Sequence, residues 1–250
     1  MPLTRDNFRL SRLVVIGQVF QITPLHQTLL PGEVPQLQQT LSPQVIARIY
    51  GELAAIGYAS LRQVPGGAQM SSADGSMTLQ VTGTGFQFSE NLRVTGIVPA
   101  IERLERAIES FFNSLSPDTS VAGQTVDLQG VWDNLGQQAD EYMNRRFLTA
   151  EAPRLVEDLG MTYNGGAIRL SLVRPAVTSL PAGVVVVGGG PSQDAVDVRI
   201  EPLYSDKSKL FIQVTGIFTP TRDRAEISRR VEFVRDLTVN RLARNLSMEA

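Results

Sequence analysis

The sequence predicts an α+β fold made of two similar halves. Each half runs strand, helix, three strands and long helix, with mainly antiparallel sheets carrying helices on one face. Three observations predict it. The word VTGI occurs at Val94–Ile97 and again at Val214–Ile217, each time between a β-branched run and an amphipathic run. The order of elements inferred around the two words is the same. A chain of 250 residues that is 42% hydrophobic and 19% charged has ordinary globular composition, with length for two modules of about 100–150 residues. The modules are read at 10–116 and 121–246, the second with an inserted loop near 175–195, and the two are expected to pack as one body.

Leu13–Ile22, "LVVIGQVFQI", is rich in β-branched residues and reads as a strand. An irregular arm follows from Pro24 to Leu41, with Leu25, Leu29, Leu30, Val34 and Leu37 among prolines. Ser42 is a natural N-cap and Pro43 a first helical residue. Val45, Ile46, Ile49, Leu53 and Ile56 then share one helix face, and Gly57 suits a left-handed stop. "ASLRQV" reads as a strand and "PGG" as a turn. "MTLQVTGTGFQFSENLRVTG" reads as two strands broken near Thr84–Gly85 or Ser89–Asn91. A helix from Pro99 to Leu115 places Ile101, Leu104, Ile108, Phe111, Phe112 and Leu115 inward. Glu102 and Arg106 form an i,i+4 pair on its wet side.

Ser116 opens a polar, turn-rich linker, after which the pattern restarts. "TVDLQGVWDNL" is a strand, with Val126, Leu128 and Gly130 matching Leu13, Val15 and Gly17. Helical stretches cover "QQADEYMNRRFL" and the run from Thr149 to Gly160. "GAIRLSLV" alternates Ile168, Leu170 and Leu172 onto one buried face. "AVDVRIEPLY" and "KLFIQVTGIF" form a hairpin. The last helix, Arg222–Leu246, turns Ile227, Val231, Val234, Thr238 and Leu242 inward. Gly96 and Gly216 are each expected to end a strand where the chain turns toward a helix.

The chemistry is bounded mainly by what the chain lacks. It has no cysteine, so disulfides, thiolate metal sites and cysteine nucleophiles are excluded. His26 is its one histidine, which rules out two-histidine zinc sites, and no GxSxG elbow is present. "VVVVGGGPSQD" has no lysine for a Walker A loop and carries Gln193 where GxGxxG needs glycine. The carboxylates, among them Asp133, Asp140, Glu157, Asp194, Asp197 and Glu201, show no spacing that marks an acid–base pair. Net charge is −2, and the arginines of the last helix alternate with acids, so nucleic acid is disfavoured as a partner. No apolar stretch reaches the length of a spanning helix and the N-terminus is unlike a secretory signal; a cytoplasmic protein without membrane contact is expected.

The leading expectation is a non-enzymatic interaction or scaffold protein, a homo-oligomer or binder of a protein partner through the apolar arm or the last helix. The alternative is a small-molecule binder with a cleft between the halves. Trp132, Tyr142 and Tyr163 would supply aromatic surface there, and Arg145 or Arg169 would meet an anion. A carboxylate-dependent hydrolase is the third reading. The balance leans away from catalysis, and no cofactor or metal is expected.

Overall fold

The computed structural model describes residues 7–21, 40–115, 119–133, 138–147, 166–173 and 193–247. Strand β1 (Phe8–Gln21) is followed by helix α1 (Pro43–Ala54), then by β2 (Tyr58–Val64), β3 (Gly67–Ser72), β4 (Met77–Thr82) and β5 (Gly85–Asn91). A single helical turn, α2 (Leu92–Thr95), leads into α3 (Ile97–Asn113). Next come β6 (Thr119–Trp132), α4 (Ala139–Phe147), β7 (Ile168–Val173), β8 (Ala195–Leu203) and β9 (Asp206–Phe218). The described chain ends in α5 (Ala225–Arg235), a π-helical segment (Asp236–Leu242) and α6 (Ala243–Ser247). Among the described residues nine strands join one sheet in the order β2-β3-β4-β5-β1-β6-β9-β8-β7, and every neighbouring pair is antiparallel.

Alternation along each strand gives this sheet a dry face and a wet face. On β1, Leu13, Val15 and Val19 are buried while Arg12, Ile16 and Gln18 are exposed. Cross-strand register shows which helices share the dry side. Phe86, Gly17, Gln124 and Phe218 stand opposite one another in one row across β5, β1, β6 and β9, so their side chains leave the same face. Phe111 and Phe112 of α3 pack on Phe86 at 5.7 and 6.4 Å between ring centroids, and Phe233 of α5 packs on Phe218 at 6.4 Å. Helices α3 and α5 therefore lie on one side of the sheet. Buried Gln124 ties α5 down, donating to the Ile227 carbonyl at 3.0 Å and accepting from Arg230. Arg230 is itself buried, with its guanidinium over the Phe218 ring at 5.1 Å, and desolvation lowers its pKa.

Several elements differ from the sequence expectation. "GAQMSS", to which the sequence reading assigns no strand, is a full strand, so four strands separate α1 from α2. Its small and polar residues carry little strand propensity; pairing with both β2 and β4 makes the strand. The two VTGI words do not share a structure. Val94 and Thr95 belong to helix α2, and Val94 is 63% exposed, whereas Val214 and Thr215 lie inside β9 with Val214 fully buried. Gly96 has φ +76 between two helices; Gly216 is a strand residue and is not among the positive-φ glycines. Leu170 and Leu172 are 45% and 48% exposed, because β7 is the last strand of the described sheet and no described helix covers them. In the final helix Ile227, Val231, Val234 and Thr238 are buried as expected. Leu242 is only partly so, since the π-helical segment shifts the phase and brings Ala243 inward. Among the described residues no helix is long and apolar enough to cross a membrane.

Candidate functional site

The residues expected to bind a ligand are dispersed. Trp132, at the end of β6, is 0% exposed and packs on Phe8 with ring centroids 5.0 Å apart. Tyr142 is buried on α4, and its hydroxyl donates to the Leu246 carbonyl at 3.0 Å, pinning α4 to α6. Burial raises its pKa, and the charges of Arg146 and Arg145 pull it back down. Arg145 is exposed on α4, one turn on from Tyr142. Arg169 is exposed on β7 and donates to Asp197 at 3.1 Å. That bond and a shorter one from Ser171, the larger cause, hold the Asp197 carboxyl below its ordinary value. Tyr163 and the glycine-rich loop around 184–192 lie outside the described residues. The four described residues line neither of the two clefts described below.

The larger cleft, of about 760 Å³, brings residues 8–10 and 92–98 together with 133 and 235–240. Its floor is the start of β1, Phe8 to Leu10, with Asp133 just past β6. One wall is α2 and the first residues of α3; the other is the end of α5 and the π-helical segment. Local chemistry builds each wall. The Asn91 side chain accepts the Arg93 N–H at 3.2 Å, capping α2 at a point where the sequence looks like continuing strand. Gly96 then reverses the chain into α3. A Cβ there would meet nothing closer than Pro99 Cδ at 3.8 Å, so glycine is required by its φ of +76 and not by space. On the opposite wall the buried Thr238 hydroxyl donates to the Val234 carbonyl at 2.7 Å, and the Ala243 N–H reaches the Thr238 carbonyl five residues back. This widened turn presents Val239 and Asn240 to the cleft. π-Helical turns of this kind recur at functional sites.

The cleft is lined by Arg9, Arg93 and Arg235 against one carboxylate, Asp133. That carboxylate is already engaged, 3.2 Å from Lys209 and 3.9 Å from Arg9. Hydrogen bonding and charge from Asp133 raise the Lys209 pKa, with Asp206 adding to the effect. Arg235 lies 3.9 Å from Glu232, and exposed Arg93 has no ion pair among the described residues. The net local charge is thus positive on a chain whose overall charge is −2. Apolar surface adjoins it: Val98 on the rim and neighbouring Val94 are 56% and 63% exposed.

A second cleft, of about 660 Å³, runs between α3 and α5. Both of its arginines are engaged. Arg229 pairs with Asp223 and Glu226, while Arg224 bonds Asn113 and stacks over Phe112 at 5.0 Å. The wet face of the sheet carries a third polar grouping. Asp127 accepts from Gln129, Gln213 and Thr215, a self-contained network with no carboxylate partner. Among the described residues no three His, Cys, Asp or Glu side chains group as a metal site would require.

Sequence reasoning took in Arg235 only among the unnumbered arginines of the last helix, and passed over Arg9, Arg93 and Val98. Their grouping depends on contacts between segments more than eighty residues apart. The one local signal was Asn91 and Gly96 bracketing the short helix. No protein-family model matches the chain, and no curated protein matches it.

Proposed function

We propose that this chain is a non-enzymatic binding protein built from a duplicated module, with its ligand held in the cleft at the seam. The duplication is supported by the sheet order. Outward from the central β1–β6 pair, β5, β4 and β3 on one side correspond to β9, β8 and β7 on the other, and helices follow β5 and β9 alike. The observation that carries the binding reading is the composition of the cleft walls. Leu92 and Val98 come from the first half and Arg235 and Val239 from the second, so the site exists only when both halves are assembled. Seams between modules are habitual ligand sites.

Trp132 supplies the test. It packs on Phe8, and Phe8 lines the cleft, so an occupant that moves Phe8 alters the emission of the chain's one tryptophan. A small-molecule library screened by Trp132 emission should yield saturable binders, and the cleft-filling pair Val98→Phe and Val239→Phe should abolish them. Binding that survives the filled cleft, or turnover of a compound by the wild-type chain, would sink this reading.

A protein partner or second copy is favoured by a different observation. Leu170, Leu172 and Val173 are exposed on β7, the last strand in the described sheet order, where another strand can add. Light scattering of the wild type and of Leu172→Lys tests this. A wild type that is monomeric and captures no partner removes it. The apolar arm expected to serve this role lies outside the described residues except for Thr40 and buried Leu41.

A further inference from the structure

We infer that the seam cleft selects an anionic amphiphile, with a carboxylate or phosphate head held by arginine and an apolar body laid against the valine rim. This deepens the reading of the cleft as a binding site and rests on it. Three features of different origin converge. Arg9, Arg93 and Arg235 reach the cleft from β1, α2 and α5, so no single helix face or basic run explains their meeting. Among the described residues Arg93 has no ion pair, and the only lining carboxylate, Asp133, is taken by Lys209 and Arg9. Guanidinium forks suit planar or tetrahedral oxyanions, which they bind in bidentate fashion.

The wall of the same cleft favours negative charge as well. Helix α3, of 17 residues, begins there with Gly96 in place of a side-chain cap and has no acid in its first turn, leaving the positive end of its dipole uncompensated. The apolar part of the specificity comes from Ile97, Val98 and Val239, which line the space beside the arginines. Val98 is more than half exposed although it sits on a helix whose apolar residues from Ala100 to Phe112 are buried. An inorganic anion would leave this rim wet, whereas an alkyl or aryl body would cover it.

The test uses the full chain and four matched probes: octanoate, octyl phosphate, octanol and octylammonium. Affinity is read by calorimetry and by Trp132 emission at low and at near-physiological salt. The two anions should bind at least about tenfold more tightly than octanol or octylammonium, the size expected from charge-assisted hydrogen bonds, and added salt should weaken them. Arg93→Gln and Arg235→Gln should each weaken the anions and leave octanol unchanged, while Arg62→Gln on β2 should change nothing. Comparing octanoate with octyl phosphate decides which head fits. If octanol or octylammonium binds as tightly as the anions, or the arginine variants bind them undiminished, the anionic assignment is overturned while the cleft remains a binding site. If no probe gives heat or alters Trp132 emission, the assignment and the reading of the cleft fall together.

Discussion

Arg103 of α3 closes a two-pronged hydrogen-bonded pair on Glu90 of β5, whose carboxylate is completely buried on the dry face of the sheet. Arg103 keeps 20% of its side chain exposed, so the arginine reaches in from the edge to neutralise a charge that water cannot. The pair fixes α3 over the first half of the sheet. Buried Tyr58 feels the same carboxylate: desolvation first, and Glu90 second, push its hydroxyl pKa well above the ordinary tyrosine value.

Removing Arg103 should therefore be costly. Arg103→Ala leaves the buried Glu90 carboxyl with no partner for its charge, a change expected to destabilise by about 3–5 kcal/mol. Replacing both partners with apolar residues of similar volume should restore most of the loss. Urea unfolding of the single and double variants checks this; equal stability of Arg103→Ala and wild type would contradict it.

Trp132 should report a dry site. With no exposed surface, it should emit at short wavelength and resist acrylamide quenching until the chain unfolds. Trp132→Ala should cost about 3–5 kcal/mol, while Trp132→Phe, which keeps most of the volume beside Phe8, should cost less. Denaturant midpoints decide, and a red-shifted native emission would count against full burial.

Two glycines should fail for different reasons. Gly96→Ala meets open space but must hold φ +76, for a loss of about 1 kcal/mol. Gly67→Ala would drive its Cβ into the Val81 carbonyl oxygen across the β3–β4 pair, so backbone must move and the loss should be larger. Thermal unfolding of both variants should rank them in that order.

Asp74 in the β3–β4 turn should titrate low. Hydrogen bonds from the Ser72 hydroxyl, then from the Ser76 backbone and hydroxyl, lower its pKa from 3.8 to about 2. The folded state thus binds this proton less readily than the unfolded state. Its stabilising contribution is complete above pH 3.8 and is lost as pH falls through about 2. Asp74→Asn should flatten stability across that window, and NMR titration of the Asp74 carboxyl should give the low value directly.

Elements set by short-range chemistry were legible in the chain. Helix α1 starts where Ser42 and Pro43 said it would, with the Ser42 hydroxyl accepting the Val45 N–H at 3.3 Å, and it buries Ile46, Ile49 and Leu53. The inward face of α3 is likewise buried from Ile101 to Phe112, and the β4–β5 hairpin breaks just before Gly85, one of the two expected places. In these cases a cap or a period states its own answer. Helix α2 was misread because Val94 and Thr95 have strand propensity. The Asn91 cap and the reversal at Gly96 outweighed it within a single turn. Trp132, Tyr142, Arg145 and Arg169 were sensible ligand groups by type, yet type says nothing about whether a ring faces a cavity or the core.

Composition and local pattern were enough for the start of α1, the inward face of α3 and the absence of thiol chemistry. Tertiary structure alone decided that β1 and β6 pair at the centre of one sheet, that β7 ends the described strand order with its leucines uncovered, and that Arg9, Arg93 and Arg235 share a cleft. The physical reason is one of range. Capping and hydrophobic periodicity act over a few residues and are written in adjacent letters. An alternating strand specifies only that one face must be dry; which strand lies beside it, and which side chains its ends bring together, is settled by packing between segments far apart in the chain.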